Sequence, residues 1–441
     1  MKLTRTRAAG LLAVGTASAL VLSACNGGGS STPSITHEPL TITFNYWGNF
    51  GIVEDAKGPS LQSVYEAAHP WVTLNMVSGE YGATHDALTQ ALIAGSGAPT
   101  ISAIDEGYIT GFVAQADNFV NMLDLGAGEF KDRYLDWKWA EAANADGSKV
   151  IGLGSDVGGL AMCYRKDLLD AAGIPSDRDA VSTAIGASWD DFIALGKTYQ
   201  AAMPGKFWVD NATNILNPAL TQLTTGYAYY NRNNVLDMPS VKPAFDIALA
   251  VIDAGLSAGL GAWSPEWNAG FSDGTFATLA CPAWMLGYIQ TQISADTFSG
   301  KWDIADIPGN GGNWGGSWYT IPKQGSEYSQ QEAYDFIKWL IQPDQQLKIM
   351  SETGNLPSQK SILESDAVKN FTNPFFNNAP YGTIFAKTVL DIKSAIYYAP
   401  KNGAIRTAVE TVLNDVQAGN VTIADAWNKA VEAATAADTA A

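Results

Sequence analysis

The chain has 441 residues, with 26 Lys and Arg against 44 Asp and Glu, so its formal net charge is −18. A surface this acidic repels phosphate backbones and anionic headgroups, which excludes a nucleic-acid binder. Charged residues make up 16% and apolar ones 46%, which excludes disorder; the length exceeds one ordinary core, so two domains are expected.

Lys2, Arg5 and Arg7 precede an uncharged, largely apolar run from Ala8 to Leu22, and Leu22-Ser23-Ala24-Cys25 follows. That order of basic start, short apolar run and small-residue cleavage site predicts a secretory signal peptide over residues 1–24. The run is too short, and its flanks are wrong, for a spanning helix. From Asn26 to Ser34 the chain is rich in Gly, Ser and Thr, so residues 25–39 read as a flexible linker. Without the signal, 23 basic residues face 44 acidic ones. No later segment approaches the length and apolarity of a membrane helix.

Leu40–Tyr46 alternates apolar and polar residues and is predicted as a strand. A helix follows at Pro59–His69, a strand at Val72–Val77, and an amphipathic helix at Thr84–Ala94 that Gly95 ends. Thr100–Ile104 is then a strand and Tyr108–Ala116 a helix. Strands separated by helices point to right-handed βαβ units, a mainly parallel sheet and an α/β fold. Strand Leu160–Tyr164 runs into a helix at Lys166–Ala172, stopped by Gly173 and Pro175. Capping boxes at Ser188, Ser329 and Thr422 start later helices. A strand at Trp302–Ile307 precedes the glycine-rich loop Gly309–Gly316.

Catalytic signatures are absent. His37, His69 and His85 lack the spacing of a zinc site. There is no nucleophile elbow, dinucleotide fingerprint or phosphate loop, so no metal or cofactor is expected. Asp105 and Glu106 follow a strand at the carboxyl end where α/β sheets bind ligands. They suit either accepting hydrogen bonds from hydroxyls or capping the next helix. The chain carries 14 Trp, and an excess of Trp and Tyr suits a neutral, ring-shaped ligand as well as a core. Cys163 and Cys281 sit in short apolar strand-like runs. They would form one disulfide if those strands are neighbours and stay two buried thiols otherwise.

The Leu22–Cys25 stretch resembles the lipobox of bacterial lipoproteins, which implies lipidation at Cys25. Leu40–Trp47, Asp146–Gly154, Leu160–Leu169 followed by Ala172-Gly173-Ile174-Pro175, and Gly315-Gly316-Ser317-Trp318 together resemble the extracellular solute-binding proteins of sugar ABC transporters. Asp156-Val157-Gly158-Gly159, with Cys163 and Cys281, looks most similar to actinobacterial binding proteins for cello-oligosaccharides. The resemblance implies two α/β lobes joined by crossovers near Gly152–Gly159, Ser299–Lys301 and Asn355–Ser358. Residues 40–151 and 301–355 would form the first lobe, and 152–300 with 356–441 the second. It implies lobe-one contacts from Trp47, Asn49, Tyr81, Asp105 and Glu106, with Asp156 at the crossover, and a stacking floor at Trp284. Trp318, Trp267 and Tyr381 are further expected contacts, whereas Trp137, Trp139, Trp302 and Trp339 are assigned to packing. The implied function is capture of a neutral oligosaccharide by a monomer, lipid-anchored on the outer face of the cytoplasmic membrane, and delivery to an ABC permease. The alternatives are an exported lipoprotein glycoside hydrolase acting through Asp105 or Glu106, and a binder of the same fold for another neutral solute.

Overall fold

The computed structural model describes residues 37–440 except 187, 310 and 394–395. The expected signal peptide, the lipidation site Cys25 and the linker up to residue 36 lie outside the described residues. Eleven strands are described: β1 (Leu40–Trp47), β2 (Val72–Gly79), β3 (Ile101–Asp105), β4 (Gly152–Gly154), β5 (Asp156–Val157), β6 (Leu160–Arg165), β7 (Phe207–Val209), β8 (Phe276–Pro282), β9 (Trp302–Ala305), β10 (Ser317–Thr320) and β11 (Leu356–Pro357).

Nine of them form two sheets flanked by helices, one per lobe of an α/β fold and both mixed rather than mainly parallel as expected, and β5 and β11 form a separate two-stranded pair. The first has the order β2-β1-β3-β10-β4, with β1 parallel to β2 and β3, and β10 antiparallel to both neighbours. The second runs β7-β8-β6-β9. In β1 the alternation drives the packing: Ile42, Phe44 and Tyr46 are buried and the residues between them are not, as period-two side chains require. In β6 every residue is buried, because helices and neighbouring strands enclose it.

Local signals place most helices. Ser60 accepts a hydrogen bond from Ser63 N and starts the helix Leu61–Ala68, and Ser188 does the same with Asp191 N for Trp189–Ala202. Gly95, in the left-handed region, ends Tyr81–Ala94, a position glycine fills without Cβ strain. The helix expected to begin at Ser329 begins one turn earlier. Ser326 caps it by accepting from Ser329 N, so Ser329 lies inside. Among the described residues no helix is long and apolar enough to cross a membrane.

Two expected boundaries move. Trp302–Ala305, expected in the first lobe, is β9 and pairs antiparallel with β6 in the second sheet, Cys163 opposite Ile304. Trp302 packs against Phe271 at 6.0 Å, and Asp303 accepts the Arg178 guanidinium at 2.9 Å, so this strand is built into the second core. The crossover expected at Ser299–Lys301 therefore follows β9, in the loop that runs to β10. Gly152–Gly154, expected in the hinge, is the edge strand β4 of the first sheet.

The three crossings are tied together. β5 and β11 pair antiparallel, Asp156 opposite Pro357. Gly158 donates to Asn313 Oδ1 at 2.8 Å, and Trp314 N donates to the Gly158 carbonyl at 2.8 Å. A Cβ on Gly158 would overlap the Trp314 carbonyl, so only glycine lets these two segments pass this closely. Cys163 and Cys281 are joined by a disulfide between β6 and β8.

Candidate functional site

The parallel strands β1, β2 and β3 end side by side, and α/β sheets bind ligands beyond such ends. Trp47 closes β1, Tyr81 opens the helix after β2 and Asp105 closes β3. Trp47 meets the Tyr81 ring edge-on at 5.5 Å and the His85 ring at 4.6 Å. His85 and Tyr108 stack at 3.9 Å. His85 Nδ1 lies 2.7 Å from the Tyr81 carbonyl, and Nε2 accepts the Asp105 backbone N–H at 3.1 Å. One nitrogen donating and the other accepting is the neutral imidazole. Burial pushes the His85 pKa down and favours the same form.

This aromatic group fixes Asp105. Its Oδ1 accepts the Tyr81 hydroxyl at 2.8 Å and the Gly107 N–H at 2.8 Å, so it also caps the helix Glu106–Val113. Oδ2 accepts no hydrogen bond from the described residues and borders the space beside Gly315. A Cβ on Gly315 would lie 3.9 Å from Asp105 Oδ2 and 3.0 Å from Trp284 Nε1. With φ at +86°, Gly315 keeps a side chain out of the gap between carboxylate and indole. Trp284, partly buried, donates through Nε1 to the Trp314 carbonyl at 3.0 Å and meets the Trp314 ring at 6.0 Å. A lobe-one carboxylate thus stands near a lobe-two aromatic wall, with backbone alone between them.

The penultimate helix, Asn402–Gln417, brings Arg406 to the same region. Burial opposes its charge, but Glu410, Tyr81, Tyr229 and Asp105 outweigh that and raise its pKa. Glu410 is the ion partner, 3.8 Å away, and Arg406 Nε has no hydrogen-bond partner among the described residues. A cavity of about 160 Å³ adjoins the site, lined by Glu106, Gln222, Gly312, Asn313, Asp391 and Ile396 among others.

Other expected contacts are occupied elsewhere. Glu106 is buried, and its Oε1 accepts Asn313 Nδ2 at 2.7 Å while Oε2 accepts the Gly315 N–H at 2.8 Å. It holds the crossover loop and offers no free oxygen on a cleft. Burial pushes its carboxyl up to about 8, against Lys138 and the two donors, which favour the anion. Because both partners are donors, Glu106→Gln turns an NH2 toward one of them. That mismatch should cost about 1–3 kcal/mol of folding stability, read as an earlier thermal melt; an unchanged melt counts against the tie.

Asp156 is buried and held through one oxygen, its Oδ1 accepting Ser155 Oγ at 2.7 Å and Ser317 N at 2.9 Å. Trp267, Trp318 and Tyr381 are core residues, each at most 1% exposed. Trp267 donates to Asp210 Oδ2 at 2.7 Å, and the Tyr381 hydroxyl donates to the Gly354 carbonyl. Trp318 donates to the Lys138 carbonyl at 3.2 Å, and the buried Lys138 ammonium sits 3.1 Å from its ring centroid. Their indole and phenol groups find partners inside the fold, and their rings are enclosed by it. Asn49 is exposed, but its Oδ1 accepts Gly51 N at 2.9 Å and its carbonyl accepts Asn355 Nδ2 at 3.0 Å. It shapes the loop after β1.

The structure therefore brings together Trp47, Tyr81, Asp105 and Trp284. It adds His85, Tyr108, Trp314 and Arg406, which sequence reasoning did not place there. Only the spacing of Tyr81 and His85, four apart on one helix face, was a usable signal.

The family model for bacterial extracellular solute-binding proteins matches residues 63–376. A crystal structure described as an extracellular solute-binding protein of family 1 is 36% identical, with 90% of this chain and 100% of that one covered and a TM-score of 0.79. The ABC transporter associated binding protein of B. animalis subsp. lactis, solved with β-1,6-galactobiose, is 23% identical, with 89% and 96% covered and a TM-score of 0.73. The galacto-N-biose-/lacto-N-biose I-binding protein of Bifidobacterium longum, solved with lacto-N-biose, is 20% identical, with 90% and 96% covered and a TM-score of 0.71. At that identity these two show a shared fold alone. None of the curated proteins compared matches the chain. With a family model spanning most of its length and a 36% identical relative covering nine tenths of it, the chain belongs to the bacterial extracellular solute-binding proteins.

Proposed function

We propose that the protein captures a neutral oligosaccharide between its lobes and hands it intact to the permease of an ABC importer. In this reading it works as a monomer tethered by acylated Cys25 to the outer face of the cytoplasmic membrane. The observation that carries the sugar reading is the pairing of Asp105, with one oxygen fixed and the other unengaged, and Trp284 across Gly315. A carboxylate oxygen accepts hydroxyls in charge-assisted hydrogen bonds, while an indole face takes the apolar face of a pyranose. Two relatives of the same fold were solved with disaccharides, which supports the ligand class. Hydrolysis would need a second carboxylate opposite Asp105, and Glu106 has both oxygens engaged within the fold. Oligomers of β-1,4-linked glucose are the first series to try, because Asp156–Gly159 with Cys163 and Cys281 resembles the cello-oligosaccharide binders.

One experiment addresses anchor and function together. The full chain carrying Cys25→Ala should be shed to the medium, whereas the parent chain fractionates with membranes. The shed protein should bind a glycan in calorimetric titration against a panel of α- and β-linked oligosaccharides, and chromatography should return that glycan unshortened. Membrane retention of the variant sinks the anchor, a panel without binding sinks the sugar reading, and steady release of shorter sugars sinks the non-enzymatic one.

A further inference from the structure

Trp263 is the one large aromatic among the described residues that stands mainly in solvent, 53% exposed. Its backbone lies in the left-handed region at φ +72°, where a bulky L-residue is strained. A strained and exposed indole contributes little to folding, so what keeps it in place matters.

The loop that carries it is fixed from both sides. Ala258 N donates to the Val209 carbonyl at 2.9 Å, Leu260 N to the Asp210 carbonyl at 3.1 Å, and Asn211 Nδ2 to the Leu260 carbonyl at 2.8 Å. On the far side Ser264 caps the helix Pro265–Asp273, and the buried Trp267 of that helix is pinned to Asp210. The Trp263 ring then rests edge-on against Trp267 at 5.2 Å and Tyr288 at 4.8 Å. Trp284 lies beyond, nearly parallel to it (26°) with ring centroids 6.1 Å apart. Trp263 thus neighbours Trp284, whose indole nitrogen borders Gly315 and, across it, the Asp105 carboxylate.

We propose that Trp263 is an outer stacking platform that makes the protein selective for linear oligosaccharides of at least three rings. The proposal rests on the sugar reading of the cleft. One ring binds at Trp284 with its hydroxyls toward Asp105, and a later ring of the same chain lies on the Trp263 indole. Two aromatic faces of nearly one orientation suit successive rings of an extended chain. Preorganisation of the loop spares the entropy of ordering an exposed Trp on binding. The strain at φ +72° is then the cost of a fixed, outward-facing indole.

Calorimetric titration of the parent protein and Trp263→Ala with the β-1,4-glucose series from two to five units, and with the matching α-1,4 series, tests this. In whichever series binds, Trp263→Ala should keep disaccharide affinity within about twofold. Affinity for three units and longer should drop about tenfold, so that the gain with length disappears. Trp263→Phe, which keeps an aromatic face, should retain part of that gain, and it keeps the test available should the alanine variant not fold. Thermal melts of the folded variants should match the parent. Equal losses at every length would mean that Trp263 acts through Trp284, and unchanged affinities would mean that it touches no sugar; either overturns the platform. If the parent binds no member of either series, the sugar reading falls and the platform with it. If the parent binds but length has no Trp263-dependent effect, only the platform falls.

Discussion

Removal of both half-cystines, as Cys163→Ala with Cys281→Ala, should lower folding stability by roughly 4–5 kcal/mol, the chain-entropy value for a bridge of this span. The residues are 118 apart in sequence, so an unfolded chain without the bridge recovers the freedom of a long loop. In the fold they are diagonal neighbours, since Ala161 faces Cys281 and Cys163 faces Leu279 in the β6–β8 register. Both are fully buried beside Phe271, Phe276 and Trp302, so the bridge staples the centre of the second sheet. Urea unfolding of the double variant should show an earlier midpoint, and reductant in the denaturant should bring the parent chain down toward it. Ligand affinity should change little, because the bridge lies among core residues. Equal midpoints for parent and variant would deny the staple any role in stability.

The sequence made local features readable and hid what depends on distant partners. Alternation at Ile42, Phe44 and Tyr46, the serine cap at Ser188 and the glycine stop at Gly95 are short-range signals, and each appears in the structure. The strand at Trp302 was legible as a strand, but nothing within its four residues says which sheet receives it. That choice is made by pairing with β6, far away in the chain. Asp105 and Glu106 are neighbours with the same chemistry and still part company. Glu106 is taken by Asn313 and Gly315, 207 and 209 residues away, whereas Asp105 keeps an oxygen on the gap. The tryptophans divide for the same reason. Trp267 and Trp318 are buried on internal acceptors, Asp210 and the Lys138 carbonyl, while Trp284, bonded to the Trp314 carbonyl, is only partly buried and Trp263 is mainly exposed. His85 has no catalytic context in sequence, and its role depends on backbone atoms at residues 81 and 105.

Trp284→Ala should weaken oligosaccharide binding by roughly 2–4 kcal/mol, the size of a hot-spot loss, which is about 30- to 900-fold in Kd. Truncation removes the stacking face and the indole N–H that tethers the Trp314 carbonyl. Trp284→Phe separates the two contributions: it keeps an aromatic face and loses only the tether, so most of the affinity should survive. A buried tryptophan should behave in the opposite way. Trp267→Ala empties a site that is 0% exposed and leaves Asp210 Oδ2 with Asn214 as its remaining side-chain donor, so it should cost about 3–5 kcal/mol of folding stability. Titration beside a thermal melt distinguishes these cases. Should Trp284→Ala melt far earlier than the parent while keeping its affinity, Trp284 is a core residue and the lobe-two wall of the cleft lies elsewhere.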